Sequence, residues 1–259
     1  MGSVDTMLNK VPQVTLAFWT IKVLCTTVGE TFADFLNTKL GLGLNGTSAV
    51  MGVILIGMLV VQLTRRRYIP AIYWTVVVLV SIVGTLISDN LVDKLGVTLQ
   101  TTTTIFAIIL AIVFALWWYR ERDLSVHHIT TTRRELYYWA AILFTFALGT
   151  SAGDYLGEAL HLGYALSAVV FAAMIALTTI AYYVFRINGV LAFWIAYVLT
   201  RPLGASLGDL LSQARQDGGL GFGTTATSAV FLAAIVVLVW REQRRERTID
   251  ALAYDSGAA

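Results

Sequence analysis

Four aspartates recur at one position of a repeated sequence pattern. Each follows a tryptophan by fifteen residues and a glycine by five, so that W-x9-G-x4-D occurs four times. The aspartates are Asp34, Asp89, Asp154 and Asp209, the tryptophans are Trp19, Trp74, Trp139 and Trp194, and the glycines are Gly29, Gly84, Gly149 and Gly204. Carboxylates suit hard cations such as Mg²⁺, Mn²⁺ and Ca²⁺. The repetition predicts a cation or proton site, although solvation at the headgroups or capping of the next turn would also explain each aspartate.

The residue one helical turn before each aspartate shares its helix face. It is Glu30, Thr85, Thr150 or Ala205, so the four repeats are not chemically equivalent. We predict an ion-binding set of Glu30, Thr85, Thr150 and the four aspartates. By hypothesis, Glu30 and the four aspartates would be the metal ligands.

Two basic residues, Lys22 and Arg201, lie eight residues before Glu30 and Asp209. A basic side chain deep in a membrane span costs about 2.5–3.5 kcal/mol and needs an acidic partner or a wet cavity. Each is either part of a structural ion pair or a coupling or gating element that a cation releases when it binds the acid. The five acids outnumber the two bases, which favours a cationic ligand.

The elements that carry these residues are predicted to be membrane helices. Of the 259 residues, 57% are hydrophobic and 13% are charged, whereas a soluble domain has about 25% charged residues. A single cysteine excludes a disulfide scaffold, and a net charge of +2 gives no reason to expect nucleic-acid binding. We expect one transmembrane domain over 1–259, an all-α polytopic membrane helix bundle. Its eight spans are 14–36, 46–63, 70–91, 102–119, 136–157, 164–185, 190–211 and 224–240.

Each repeat contains two spans, so the four tryptophan-bearing helices run in parallel. The predicted repeats are about 12–65, 68–120, 133–186 and 188–241, related by a pseudo-fourfold or nested pseudo-twofold axis that brings the aspartates to one depth. The repeated glycines begin small-xxx-small stripes for close helix packing. The tryptophans are predicted to be interfacial anchors or core packing. Basic residues cluster at both termini and after the even spans, which predicts that both termini are cytoplasmic.

Four tandem two-helix repeats, each with a tryptophan, resemble a family of bacterial membrane proteins that carry a repeat of unknown function and are often labelled membrane-anchored. The resemblance covers nearly the whole chain and implies a multi-pass protein of the bacterial inner membrane. It implies no activity.

The chain lacks a nucleophile elbow, HExxH, a P-loop and GxGxxG, so we do not expect an enzyme or a bound cofactor. The leading prediction is a proton-coupled secondary transporter of a cation, with a divalent metal such as manganese as substrate. The alternatives are a cation channel with a carboxylate-lined pore, or a non-transporting membrane partner or sensor. The expected partners are the lipid bilayer and the cation, and no oligomeric state is predicted.

Overall fold

The computed structural model describes residues 9–257, with side chains to residue 248, and the regular elements in this range are helical. Eight α-helices agree in number with the sequence prediction, and the last one extends well past residue 240. The helices are α1 (Leu16–Asp34), α2 (Gly43–Thr64), α3 (Pro70–Asp89), α4 (Leu99–Glu121), α5 (Thr132–Asp154), α6 (Gly163–Tyr183), α7 (Gly189–Ser212) and α8 (Thr224–Gly257).

Local sequence signals set where the odd-numbered helices begin. The Thr15 hydroxyl accepts a hydrogen bond from the Phe18 N–H at the start of α1, and Thr131 caps α5 in the same way. The Asn188 side chain accepts from two backbone N–H groups at the start of α7. At α3, Pro70 occupies the first helical position, where its missing N–H leaves no bond unmade.

The four odd-numbered helices contact one another in a closed ring. α1 contacts α3 and α7, and α5 contacts the same two helices from the other side. Each even-numbered helix packs outside this ring, against the odd-numbered helix that follows it in the chain, and α8 packs against α1. The ring therefore forms the protein interior, while the even-numbered helices present most of their apolar surface outward.

Within the described residues, seven helices, α2 to α8, are long and apolar enough to cross a membrane. α1 is not among them because Lys22, Glu30 and Asp34 reduce its apolar character. These three residues lie on the helix that contacts α3, α7 and α8. The described part of the chain is thus that of a multi-pass membrane protein with seven apolar helices and a less apolar helix α1.

Candidate functional site

The repeated glycines lie where neighbouring odd-numbered helices approach each other. A Cβ atom added to Gly84 would lie 2.7 Å from the Phe146 Cβ and 3.1 Å from the Ala147 backbone nitrogen. The other three glycines meet equivalent positions of the next helix in the ring: Gly29 meets Ser81, Gly149 meets Arg201, and Gly204 meets Thr26. These glycines allow backbone contact between the helices, as small residues do in membrane proteins.

Aromatic side chains close the ring at its N-terminal end, which the sequence predicts to be cytoplasmic. In each repeat, the aromatic residue just before the tryptophan contacts the tryptophan of the next repeat. The pairs, with ring-centroid separations, are Phe18–Trp74 (5.6 Å), Tyr73–Trp139 (5.5 Å), Tyr138–Trp194 (6.3 Å) and Phe193–Trp19 (5.6 Å). We call these eight residues the aromatic layer. Trp74, Trp139 and Trp194 are buried, which fits core packing better than a role as interfacial anchors.

Lys22 lies one layer beyond these aromatic residues and is fully buried. Its ammonium nitrogen donates to the Tyr197 carbonyl oxygen at 3.0 Å and to the Thr200 hydroxyl. It also lies 4.0 Å from the centroid of the Tyr197 ring and 5.3 Å from that of Phe146. Of the two environments predicted for Lys22, an acidic partner or a wet cavity, the first is not observed, because no carboxylate in the described part of the chain lies within ion-pair distance of it.

Arg201 joins three helices of the ring to its own helix α7. Its Nη2 donates to Glu30 Oε2 at 3.0 Å, to Thr150 Oγ1 at 2.6 Å and to the Thr85 hydroxyl, while its Nη1 donates to the Thr26 carbonyl at 3.3 Å. Arg201 is fully buried and Glu30 is 6% exposed. We call this set of contacts the Arg201 network. The acid paired with Arg201 is therefore Glu30 on α1 and not Asp209 on its own helix.

The four repeated aspartates form a ring of carboxylates at the C-terminal end of the odd-numbered helices. Each carboxylate lies within electrostatic reach of Glu30 and of the aspartates on the two adjacent helices. Asp209 is buried and the other three are half-buried. Among the described residues, no side chain donates a hydrogen bond to these carboxylates and no cation pairs with them. We call this arrangement the aspartate ring.

In three of the repeats, the helix changes from α to π geometry directly after the repeated aspartate. α1, α3 and α5 each end at the repeated aspartate and pass directly into a π-helical turn, namely Phe35–Lys39, Asn90–Lys94 and Tyr155–Ala159. In the fourth repeat the α-helix instead continues past Asp209 to Ser212. Wide helical turns of this kind are frequent at functional sites.

The predicted ion-binding residues thus divide between two levels. Thr85 and Thr150 contact Arg201, together with Glu30, and not the repeated aspartates. Over the described residues, no three His, Cys, Asp or Glu side chains converge closely enough to hold a metal ion. The five carboxyl groups therefore lie close to one another and to the Arg201 guanidinium without forming an assembled metal site.

Two sets of polar or aromatic residues were not identified from the sequence. One is the aromatic position before each tryptophan, which the recurring pairs Phe18-Trp19, Tyr73-Trp74, Tyr138-Trp139 and Phe193-Trp194 would have revealed. The other is a buried contact between Lys10 and Glu135, whose charged atoms are 2.5 Å apart. No spacing in the sequence relates residues this far apart.

Comparison with known families agrees with the four-repeat organisation. A family model described as Repeat of Unknown Function (DUF347) matches residues 17–68, 72–123, 137–188 and 192–248. The chain belongs to this family, and the prediction of four tandem repeats is confirmed. No curated protein and no solved structure matches the chain.

Proposed function

We propose that this protein is a proton-coupled secondary transporter of a cation, with a divalent metal such as Mn²⁺ as the substrate to test first. The observation that carries the proposal is the aspartate ring. No cation among the described residues lies within ion-pair distance of these four neighbouring carboxyl groups, and Arg201 lies within electrostatic reach of Asp89 and Asp154. Neighbouring ionised carboxylates repel each other. The ring is therefore expected to hold positive charge, either as protons or as a bound cation.

The Arg201 network supplies a means of coupling. Arg201 pairs with Glu30 at 3.0 Å, and Glu30 lies within electrostatic reach of all four aspartates. A cation that enters the ring competes with the guanidinium for Glu30. In the proposed cycle, the entering cation weakens the Arg201–Glu30 pair, and protons replace the cation when it leaves.

The closed interior favours a carrier over a channel. From the C-terminal to the N-terminal end of the odd-numbered helices, the aspartate ring is followed by Arg201, Lys22 and then the aromatic layer. Arg201 and Lys22 both lie over the Phe146 ring, and Lys22 also lies over Tyr197, which contacts Phe18 of the aromatic layer. A channel needs a continuous path, whereas a carrier closes its path on one side at a time. A non-transporting partner protein would have no need for four carboxylates that face one another and not the surrounding lipid.

The proposal includes all eight helices as membrane spans, a pseudo-fourfold relation between the repeats and cytoplasmic termini in a bacterial inner membrane. The cyclic contact pattern supports the pseudo-fourfold relation. Glycine packing, aromatic pairs and carboxylate neighbours all run from each repeat to the next and return from the fourth to the first.

Flux in proteoliposomes tests the proposal. Purified protein should exchange external Mn²⁺ for internal protons, measured with a metal-sensitive dye and a pH dye in the same vesicles. Replacing both Asp89 and Asp154 with Asn should abolish both signals, because two of the four charges are removed. The control is Asp217→Asn, an exposed acid in the loop after α7, which should retain flux. Full flux in the double variant, or metal current without proton movement, would contradict a proton-coupled carrier.

A further inference from the structure

A second set of oxygen atoms surrounds a cation at the opposite end of the bundle from the aspartate ring. The Lys10 Nζ donates to Glu135 Oε2 at 2.5 Å, to the Leu63 carbonyl at 3.1 Å and to the Gln62 carbonyl at 3.3 Å. Lys10 and Glu135 are each 1% exposed. An ammonium group has three donors, and these three oxygens satisfy all of them.

The oxygens belong to elements that would attract a cation without Lys10. Gln62 and Leu63 lie in the last turn of α2, where the helix dipole is negative. The Gln62 carbonyl also accepts a hydrogen bond from the Arg65 N–H at 3.2 Å. The other carboxylate oxygen of Glu135 accepts from Gln62 Nε2 at 3.0 Å, which fixes the orientation of the carboxylate. One carboxylate oxygen and two backbone carbonyl oxygens thus surround the Lys10 ammonium.

The occupant is held differently from the other buried bases. Lys22 and Arg201 project from helices, whereas Lys10 lies on a non-helical segment before α1. Two hydrogen bonds join this segment to the loop before α5: Lys10 N–H to the Ile129 carbonyl at 3.3 Å, and Ile129 N–H to Asn9 Oδ1 at 3.2 Å. The segment that carries Lys10 thus belongs to no helix, so movement of Lys10 would break no helical hydrogen bond.

The site also lies next to the aromatic layer. Trp139 belongs to that layer, and its indole N–H is 3.5 Å from Glu135 Oε1. The path proposed for the cation runs from the aspartate ring towards this same layer. A cation that passed the aromatic layer at α5 would meet Glu135 first.

We propose that Glu135 and the carbonyls of Gln62 and Leu63 form a second cation site, which the Lys10 ammonium occupies when no substrate cation is there. Lys10 then acts as a tethered competitor that leaves when a metal cation arrives and returns when the cation is released. The identity of the cation rests on the proposed function, whereas the existence of the site rests only on the contacts of Lys10.

Lysine acylation of the unaltered protein tests whether the occupant leaves. In detergent without added metal, Lys10 should resist a water-soluble acylating reagent, and exposed Lys39 should react. Added MnCl₂ should increase acylation of Lys10, measured by peptide mass spectrometry, with Lys39 unchanged. The increase should persist when Asp89 and Asp154 are both Asn, since the aspartate ring is a separate site. A Lys10 reactivity that does not respond to MnCl₂ would overturn the proposal.

A vacated site gives the second test. Lys10→Ala removes the atoms from Cγ to Nζ, which n-propylammonium replaces. The melting temperature of this variant should fall, and n-propylammonium chloride or MnCl₂ should raise it in a saturable manner. The matched variant Lys10→Ala with Glu135→Gln should show no such rise. An equal rise in both variants, or no rise in either, would show that Lys10 only fastens the chain.

The two proposals fail in different ways. Recovery of Lys10→Ala by MnCl₂, combined with no Mn²⁺ flux through unaltered protein, would refute transport but support the site. Mn²⁺ flux through the unaltered protein, combined with no response of Lys10→Ala to MnCl₂, would support transport but refute the second cation site.

Discussion

The buried ion pair between Arg201 and Glu30 is predicted to make a large contribution to the stability of the protein. The perturbation is a double-mutant cycle of Arg201→Met and Glu30→Gln, each alone and both together. Both residues are buried, and the guanidinium also donates to the Thr85 and Thr150 hydroxyls and to the Thr26 carbonyl. Removing one partner therefore leaves the other partner buried among the odd-numbered helices with an unpaired charge or unsatisfied hydrogen bonds.

The expected magnitude follows from that burial. Removing one partner of a buried ion pair typically lowers the free energy of unfolding by about 3–5 kcal/mol. This is well above the roughly 0.6 kcal/mol average for a hydrogen bond between membrane helices. The double variant should lose less than the sum of the two single variants, with an interaction energy of about 1–3 kcal/mol, because the second substitution removes the group left unpaired by the first.

The assay is reversible unfolding of the purified protein in mixed micelles, followed by circular dichroism as the fraction of denaturing detergent increases. Arg215→Met is the control, since Arg215 is exposed in the loop after α7, and it should change stability by less than about 0.5 kcal/mol. Additive effects of the two interior substitutions, or an Arg201→Met effect no larger than the control, would refute the reasoning.

Two further predictions concern packing and pH. Gly84→Ala should destabilise the protein by about 1–3 kcal/mol, because its Cβ would press on the Phe146 Cβ and the Ala147 nitrogen. The Cβ of Gly52→Ala would meet open space beside α2, so this variant should be neutral or stabilising by up to about 1 kcal/mol. Equal melting temperatures for the Gly84→Ala and Gly52→Ala variants would contradict the prediction. Partial burial opposes ionisation of Asp123, but hydrogen bonds from His128, the Ser125 N–H and Arg134 outweigh it and lower the pKa of Asp123. The stability that these bonds supply should be present above about pH 3.9 and be lost as the pH falls through the lowered pKa. Asp123→Asn should thus melt below wild type at pH 7, with a difference that shrinks in acid; a difference that grows in acid would reverse the sign.

Periodicity explains why the architecture was predictable from the sequence. The apolar segments predicted eight helices near their observed positions, and the small-residue stripes that begin at the repeated glycines predicted close packing of the odd-numbered helices. Because the pattern occurs four times in the chain, each occurrence independently predicts the same pair of helices. The length of α8 was underestimated because its polar end, beyond residue 240, gives no membrane-span signal.

Partner choice was less predictable because it depends on the order of helices around the ring. Spacing along α7 suggested that Arg201 would face Asp209, whereas the adjacency of α7 and α1 brings it to Glu30. Lys22 was predicted to have either an acidic partner or a wet cavity, and the structure surrounds it with a carbonyl, a hydroxyl and two aromatic rings. Contacts across helices need the fold before they can be assigned.

The central claim, that the aspartate ring exchanges a metal cation for protons, is tested most directly by accumulation against a gradient. Proteoliposomes with an acidic lumen and equal Mn²⁺ on both sides should concentrate Mn²⁺ inside while the lumen becomes alkaline, and dissipating the pH gradient should release the metal. The account predicts no accumulation when Asp89 and Asp154 are both Asn. Accumulation that is unchanged by that double substitution, or the absence of any pH-driven accumulation by the unaltered protein, would contradict it.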